Sequence, residues 1–213
     1  MKRFFDFLIA ILAIFVLSPV FITIILVIFF KQGRPIFFTQ KRLGLNAKVF
    51  NIYKFRTMTT GAHLVRDGLQ VTSNDVRVTK VGKVLRSTSL DELPQLFNIL
   101  LGDVAIVGPR ACLPEQLPYF NKKQRERFRV RPGLTGLATI KGRASIRWSK
   151  RLRWDRVYIN QQSLWLDIKI IIRTVFVVLS RENIYYDHSK YGPAFDLATP
   201  DDLPQAVAEE NER

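Results

Sequence analysis

Between Phe7 and Phe30 only Ser18, Pro19 and Thr23 interrupt an apolar run long enough to cross a bilayer. The rest of the chain has to be arranged around that segment. Two details argue against a simple span. Lys2 and Arg3 precede it, and Lys31, Arg34, Lys41 and Arg42 follow it, so the rule that keeps cations on the cytoplasmic face pulls both ends to one side. Ser18-Pro19 also falls at its middle, where proline removes a helical donor and crowds the preceding turn. The serine hydroxyl can satisfy a carbonyl freed there. A re-entrant helix-break-helix and a proline-kinked single span both fit these residues. A cleaved leader fits less well, because Lys31-Gln32-Gly33-Arg34-Pro35 follows the run instead of a small-residue cleavage site.

The 213 residues carry 33 Lys+Arg against 18 Asp+Glu, a formal charge of +15, which calls for an anionic partner. Sixteen Phe and three Trp alongside that charge suit a membrane surface better than a nucleic acid. The single cysteine, Cys112, cannot form an internal disulfide.

After the Gly33-Arg34-Pro35 turn, Ile36–Thr39 and Val49–Tyr53 read as short strands joined by a Gly44-Leu45-Asn46 turn. Thr60 to Asn74 reads as a mobile polar loop, Pro114 to Phe128 as helical, and the acidic tail from Pro200 as disordered. Arg147, Trp148, Lys150, Arg151, Arg153, Trp154 and Arg156 mix indoles with cations, as a headgroup layer requires. Leu164 to Leu179 holds Asp167, Lys169 and Arg173 at helical spacing. It fits an interfacial helix and an amphipathic core helix equally.

Within this basic chain an adjacent acid pair, Asp91-Glu92, stands at a predicted helix start. Ser89 with Glu92 makes a capping box but leaves Pro94 deep in the helix. Asp91 as the cap places Pro94 among the first orphan amides, and is preferred. The plain alternative is that Asp91 only caps and Glu92 only solvates. The surrounding cations argue for more: Lys54, Arg56, Arg86 and Arg110 all fall at element ends, and arginine suits bidentate phosphate recognition. Carboxylates facing phosphates usually need a hard cation, for which magnesium is the natural candidate. An ionised aspartate is also a competent nucleophile toward phosphorus. His63 and His188 lie far apart and no Cys/His metal spacing exists, which argues against zinc. No Walker-type loop or Gly-x-Gly-x-x-Gly is present.

From about Lys2 to Thr174 the chain resembles the small monotopic phosphoglycosyl transferases, the bacterial sugar transferase family. The matching motifs include Lys2-Arg3-Phe4-Phe5-Asp6, Ser18-Pro19, Lys54-Phe55-Arg56-Thr57-Met58, Leu85-Arg86, Ser89-Leu90-Asp91-Glu92-Leu93-Pro94-Gln95, Val107-Gly108-Pro109-Arg110, Arg131-Pro132-Gly133-Leu134-Thr135-Gly136 and Leu166-Asp167-Ile168-Lys169. The resemblance implies that Asp91 attacks the β-phosphorus of a UDP-sugar, releases UMP and carries the phosphosugar to undecaprenyl phosphate. Glu92 would then be the proton handler, and Mg2+ would sit on Asp91. Lys54, Arg86 and Arg110, together with Arg56 and Arg131, form the candidate substrate-binding set. Ser18-Pro19 matches the membrane break, which favours the re-entrant form.

The expected fold is α+β and mainly helical. Residues 1–32 form the re-entrant helix, residues 33–185 a catalytic domain with interfacial amphipathic helices and a small β-element around the catalytic helix, and residues 186–213 a largely disordered tail. The expected setting is the cytoplasmic face of a bacterial inner membrane, with membrane lipid as a partner, no nucleic acid, and a homodimer left open. Two departures from the family pattern bear on sugar choice and local packing: Ala111-Cys112 after Gly108-Pro109-Arg110, and Leu137, Thr139 and Lys141 where the family has Trp, Gln and Asn. A non-catalytic membrane-surface scaffold and a nucleic-acid binder are the competing classes.

Overall fold

The computed structural model describes residues 1–59, 61, 75–143, 145–180 and 197. The expected loop at residues 60 and 62–74, both histidines and the tail from Pro200 lie outside the described residues. The apolar run becomes a single helix, α1 (Lys2–Gln32), of 31 residues, about 46 Å at 1.5 Å per residue. Residues on both sides of Pro19 are helical, so the expected break is not an interruption of the helix. The carbonyl of Phe15, which Pro19 cannot serve, accepts instead from Ser18 Oγ at 2.8 Å.

α1 buries one face along its length. Ala10, Phe21, Ile24 and Ile28 join a core with Phe55, Leu85, Leu96, Ile99, Val104 and Val107. Its other face, including Leu12, Phe15, Val16, Ile22 and Phe30, is exposed. Both ends are held by polar contacts to the same body. At the start, Lys2 Nζ bonds Asp167 Oδ2 at 2.5 Å, Asp6 Oδ1 accepts from the Ile106 amide at 3.2 Å, and Arg3 donates to the carbonyls of Ile99 and Leu100. At the end, Arg56 Nη2 donates to the carbonyls of Gln32 and Gly33 at 2.5 and 2.8 Å.

β1 (Phe37–Leu43) and β2 (Val49–Phe55) pair antiparallel in the register Phe38↔Lys54, joined by a short 3-10 turn at Leu45–Ala47. They extend the two strands that the β-branched and aromatic pattern predicts. α2 (Lys80–Ser87) leads through a tight turn to α3 (Gln95–Leu101), and β3 (Ala105–Val107) runs parallel to β4 (Gly133–Thr135). Between β3 and β4, the predicted helical stretch is a 3-10 turn (Pro114–Tyr119), a single helical turn, α4 (Lys122–Arg125), and a second 3-10 turn (Glu126–Arg129). Three helices close the described chain: α5 (Leu137–Gly142), α6 (Trp148–Gln161) and α7 (Leu164–Leu179).

Trp148, grouped by sequence with exposed cations, is 8% exposed and packs inside on Phe120. α7 buries Asp167 and Ile170 while Trp165, Ile172, Val175, Phe176 and Leu179 stay exposed. It therefore carries an apolar outer face as well as a packed inner one.

Asn98, fully buried on α3, fastens the β1–β2 pair. Its Oδ1 accepts from the Tyr53 amide at 3.0 Å and its Nδ2 donates to the Asn51 carbonyl at 2.7 Å. Asn98→Ala removes both bonds to β2 and leaves two part-buried backbone groups without their partner, a cost of about 1–2 kcal/mol. Thermal unfolding of the detergent-solubilised protein should show a clearly lowered midpoint for this variant, and an unchanged one would show that the stitch is dispensable.

Candidate active site

The acid pair does not cap a helix in either of the two ways the sequence suggests. Leu90–Glu92 is a 3-10 turn, and α3 begins only at Gln95, with Pro94 in the N-cap position. Pro94 offers no amide proton, so the turn before it is held by tighter bonds, Glu92 N to Ser89 O and Leu93 N to Leu90 O, each 3.2 Å. Ser89 adopts a left-handed conformation, φ 57°, and makes no cap bond. Its hydroxyl accepts from Arg143 Nη2 at 2.7 Å. Successive residues of a 3-10 turn stand about 120° apart, so the two carboxylates leave the turn in different directions.

Four elements bring cations to this turn. Lys54 comes from β2, fixed by the Asn98 stitch one residue earlier. Arg86 comes from α2 and donates through Nε to Thr57 Oγ1 at 2.9 Å. That contact depends on Gly82, where a Cβ would stand 2.0 Å from the Thr57 carbonyl oxygen. Arg110 follows β3, held where Gly108 and Gly136 meet; a Cβ on Gly136 would lie 2.1 Å from the Gly108 oxygen. Arg143 ends α5 at φ 47°, a left-handed conformation that costs a non-glycine residue about 1 kcal/mol or more.

Glu92 Oε1 takes Lys54 Nζ at 2.6 Å and Arg110 Nη2 at 2.5 Å, and its Oε2 takes Arg110 Nη1 at 3.4 Å. Burial alone would raise its pKa, but Arg110 and Lys54 outweigh that and hold the carboxyl well below the usual carboxylate range. Asp91 is the opposite. It is 7% exposed, and no donor among the described residues bonds its carboxylate. Burial pushes its pKa up, with Glu92 adding to the rise and the charges of Lys54, Arg86 and Arg110 opposing it. Burial also lowers the Arg143 pKa, while the two carboxylates support its charge. Lys54, Arg86, Arg110 and Arg143 against two carboxylates leave a local charge of +2, an arrangement suited to phosphate.

Of the residues singled out by sequence, the structure brings together Asp91, Glu92, Lys54, Arg86 and Arg110. Arg56 is placed at the end of α1, and Arg131 donates through Nε to the Gly102 carbonyl at 2.8 Å, at the far end of α3. Both serve helix termini in this structure. Arg143 was not among the candidates. Its sequence signal is the Gly142-Arg143 pair, which keeps the closing Gly-Arg of the family pattern whose Trp, Gln and Asn are replaced by Leu137, Thr139 and Lys141. The described residues contain no cluster of three or more His, Cys, Asp or Glu side chains placed to hold a metal ion.

A cation-rimmed acid pair at the start of α3, with α1 packed on the same helix, is the arrangement for which similarity to known proteins supplies a family. The model of the bacterial sugar transferase family matches residues 1–181, and the chain belongs to that family. It is 44% identical over 185 residues to an uncharacterised sugar transferase of Bacillus subtilis, EpsL, covering 86% of this chain and 90% of that one. It is 40% identical to the UDP-glucose:undecaprenyl-phosphate glucose-1-phosphate transferase of Klebsiella pneumoniae, over 86% of this chain and 41% of that protein. With the undecaprenyl-phosphate galactose phosphotransferase of Salmonella typhimurium the identity is 34%, over 87% and 42%. The chain thus spans less than half the length of these two larger relatives.

The two carboxylates should respond oppositely to neutralisation. Asp91 has a folded pKa above its unfolded value, so its stabilising contribution is complete only when it is protonated and is lost as pH rises through the folded pKa. Asp91→Asn should therefore unfold at a higher temperature than the unmodified protein near neutral pH, with the gap closing toward about pH 4. Glu92 has a depressed folded pKa, so its contribution is present above the unfolded value and disappears as pH falls through the folded one. Glu92→Gln should lose about 1–3 kcal/mol near neutral pH, because Lys54 and Arg110 are left without their partner. Melting curves of both variants across pH check the pair, and a destabilised Asp91→Asn would contradict the assignment.

Proposed function

We propose that the protein transfers a sugar-1-phosphate from a UDP-sugar to undecaprenyl phosphate at the cytoplasmic face of a bacterial inner membrane. The observation that carries this reading is the asymmetry of the acid pair. Among the described residues no donor bonds the Asp91 carboxylate, which stands amid cations as a nucleophile toward phosphate requires, while Glu92 is bound to Lys54 and Arg110. The relatives named for this transfer support the same substrates, and their different sugars, glucose and galactose, leave the sugar unassigned.

In this mechanism an Asp91 carboxylate oxygen attacks the β-phosphorus of the UDP-sugar. The bond from that phosphorus to the bridging oxygen breaks, and UMP leaves with the electron pair. Arg86, Arg110, Arg143 and Lys54 hold the diphosphate and offset its charge. A phosphate oxygen of undecaprenyl phosphate then attacks the same phosphorus, the acyl–phosphate bond breaks, and the Asp91 carboxylate is restored. Phosphate bound by Lys54 and Arg110 draws them from Glu92, which raises its basicity and fits it to take the acceptor's proton. The residues fit a magnesium ion: Asp91 offers a carboxylate that no donor among the described residues bonds, and magnesium binds through one or two carboxylates plus substrate phosphates and water. Such an ion would neutralise phosphate charge as the bonds change.

Incubation of the purified protein with UDP-sugars should release UMP and leave a phosphosugar mass on the Asp91 peptide. Asp91→Asn should cut release by at least about a thousandfold. Release that survives that substitution would defeat the covalent mechanism.

The topology we propose for α1 is re-entrant, dipping into one leaflet with both termini cytoplasmic. It is supported by the polar contacts that tie Lys2, Arg3 and Asp6 at one end, and Gln32 and Gly33 at the other, to one body. A perpendicular span would carry one of those clamps through the hydrocarbon. A cysteine introduced at the extreme N-terminus, with Cys112 replaced, should resist impermeant maleimide in sealed spheroplasts. Labelling from outside would sink the re-entrant form.

A further inference from the structure

Behind the cation rim lies a buried group that the proposed chemistry does not use. Asp155, on α6, is 2% exposed and pairs with Arg127 Nη2 at 3.0 Å. Arg127 is itself 4% exposed, with its guanidinium 5.4 Å from the Phe120 ring centre and 5.3 Å from that of Trp148. The same Nη2 donates to the backbone carbonyl of Arg110 at 2.6 Å. On the other side, Arg151 is one turn before Asp155 on α6, and its guanidinium lies 5.2 Å from the same Trp148 ring. It donates through Nη2 to the backbone carbonyl of Arg143 at 3.0 Å. Each of two rim arginines is thus held at its main chain by a second arginine. The two holding arginines share one indole and both feel the charge of one carboxylate.

A buried ion pair of this kind adds little to stability when a well-packed apolar set could replace it. What it supplies here is direction. The chain after β3 and the end of α5 are irregular, and Arg143 sits in a strained left-handed conformation, so neither backbone is fixed by a regular ladder. Arg151 projects from α6 itself, and Arg127, on the 3-10 turn Glu126–Arg129, is tied to α6 through Asp155, so donors referred to one helix set the distance between the two cations that would grip a diphosphate.

We propose that Asp155, Arg127 and Arg151 are positioning residues, with Arg127 placing Arg110 and Arg151 placing Arg143 for binding of the nucleotide diphosphate. The inference rests on the transferase reading for the identity of the ligand. Its test therefore reads UDP affinity by calorimetry on the full chain, alongside UMP release. Arg127→Lys keeps the charge but loses the guanidinium plane that lies by the Phe120 and Trp148 rings and aims Nη2 at both Asp155 and the Arg110 carbonyl. It should weaken UDP binding about tenfold. In an Arg110→Ala background the same change should weaken it by less than about twofold, whereas with Arg143→Ala the full loss should persist. Arg151→Lys should show the mirror pattern, non-additive with Arg143→Ala and additive with Arg110→Ala, and it carries the test alone if Arg127→Lys does not fold. Asp155→Asn should be partly non-additive with both.

Equal losses in both backgrounds, or unchanged UDP affinity in folded variants, would overturn the proposal. Unmodified protein that binds UDP but releases no UMP from any UDP-sugar would defeat the transferase reading and leave these cycles interpretable. Failure to bind UDP at all would defeat both.

Discussion

Helix α3 is gripped on two sides, and the site exists because of that grip. α1 lies against it through Phe21, Ile24 and Ile28 and caps its far end through Arg3. β2 is stitched to it by Asn98. The acid pair precedes α3, Lys54 sits on β2, and the long exposed apolar surface belongs to α1. One short helix of seven residues therefore fixes the distance between that apolar surface and the carboxylate proposed to react. Seven residues could not hold a helical conformation alone, so α3 owes its order to those neighbours.

The electrostatic design follows from that placement. Burial makes an ionised Asp91 costly, and the cations around it make the cost tolerable without bonding it. Glu92, one residue on, absorbs the donors that would otherwise reach its neighbour. The pair works as a division of labour: one carboxylate anchors the rim while the other stays available. Stability is given up at Asp91 and recovered at Glu92.

Much of this was legible in the sequence where a residue's own chemistry decides the outcome. The length and apolarity of the segment from Phe7 to Phe30 required α1, and the Ser18 hydroxyl serves the carbonyl that Pro19 leaves free. The β-branched and aromatic pattern around Val49–Tyr53 located β2. The acid pair and three of its cations were found from residue type and motif order. Other features depend on contacts across the fold, which no local pattern encodes. The capping choice failed because Pro94 shortens the helix and leaves the acids in a 3-10 turn. Arg56 and Arg131, grouped by type with the other cations, donate to the carbonyls of Gln32, Gly33 and Gly102, contacts that residue type alone does not reveal. Arg143 reaches Ser89 across 54 positions of chain, and Trp148 turns inward because Arg127 and Phe120 offer it a packed seat.

The clamp between Lys2 and Asp167 joins positions 165 residues apart. On a ribosome adding about 5–20 residues per second, the first helix waits roughly ten to thirty seconds for its ionic partner to be made. Its apolar partners Phe55, Leu85, Leu96 and Ile99 are made well before that, so packing of the helix can precede the clamp. The ionic contact fastens a helix whose other neighbours are already present, a latch that closes only when α7 has been made.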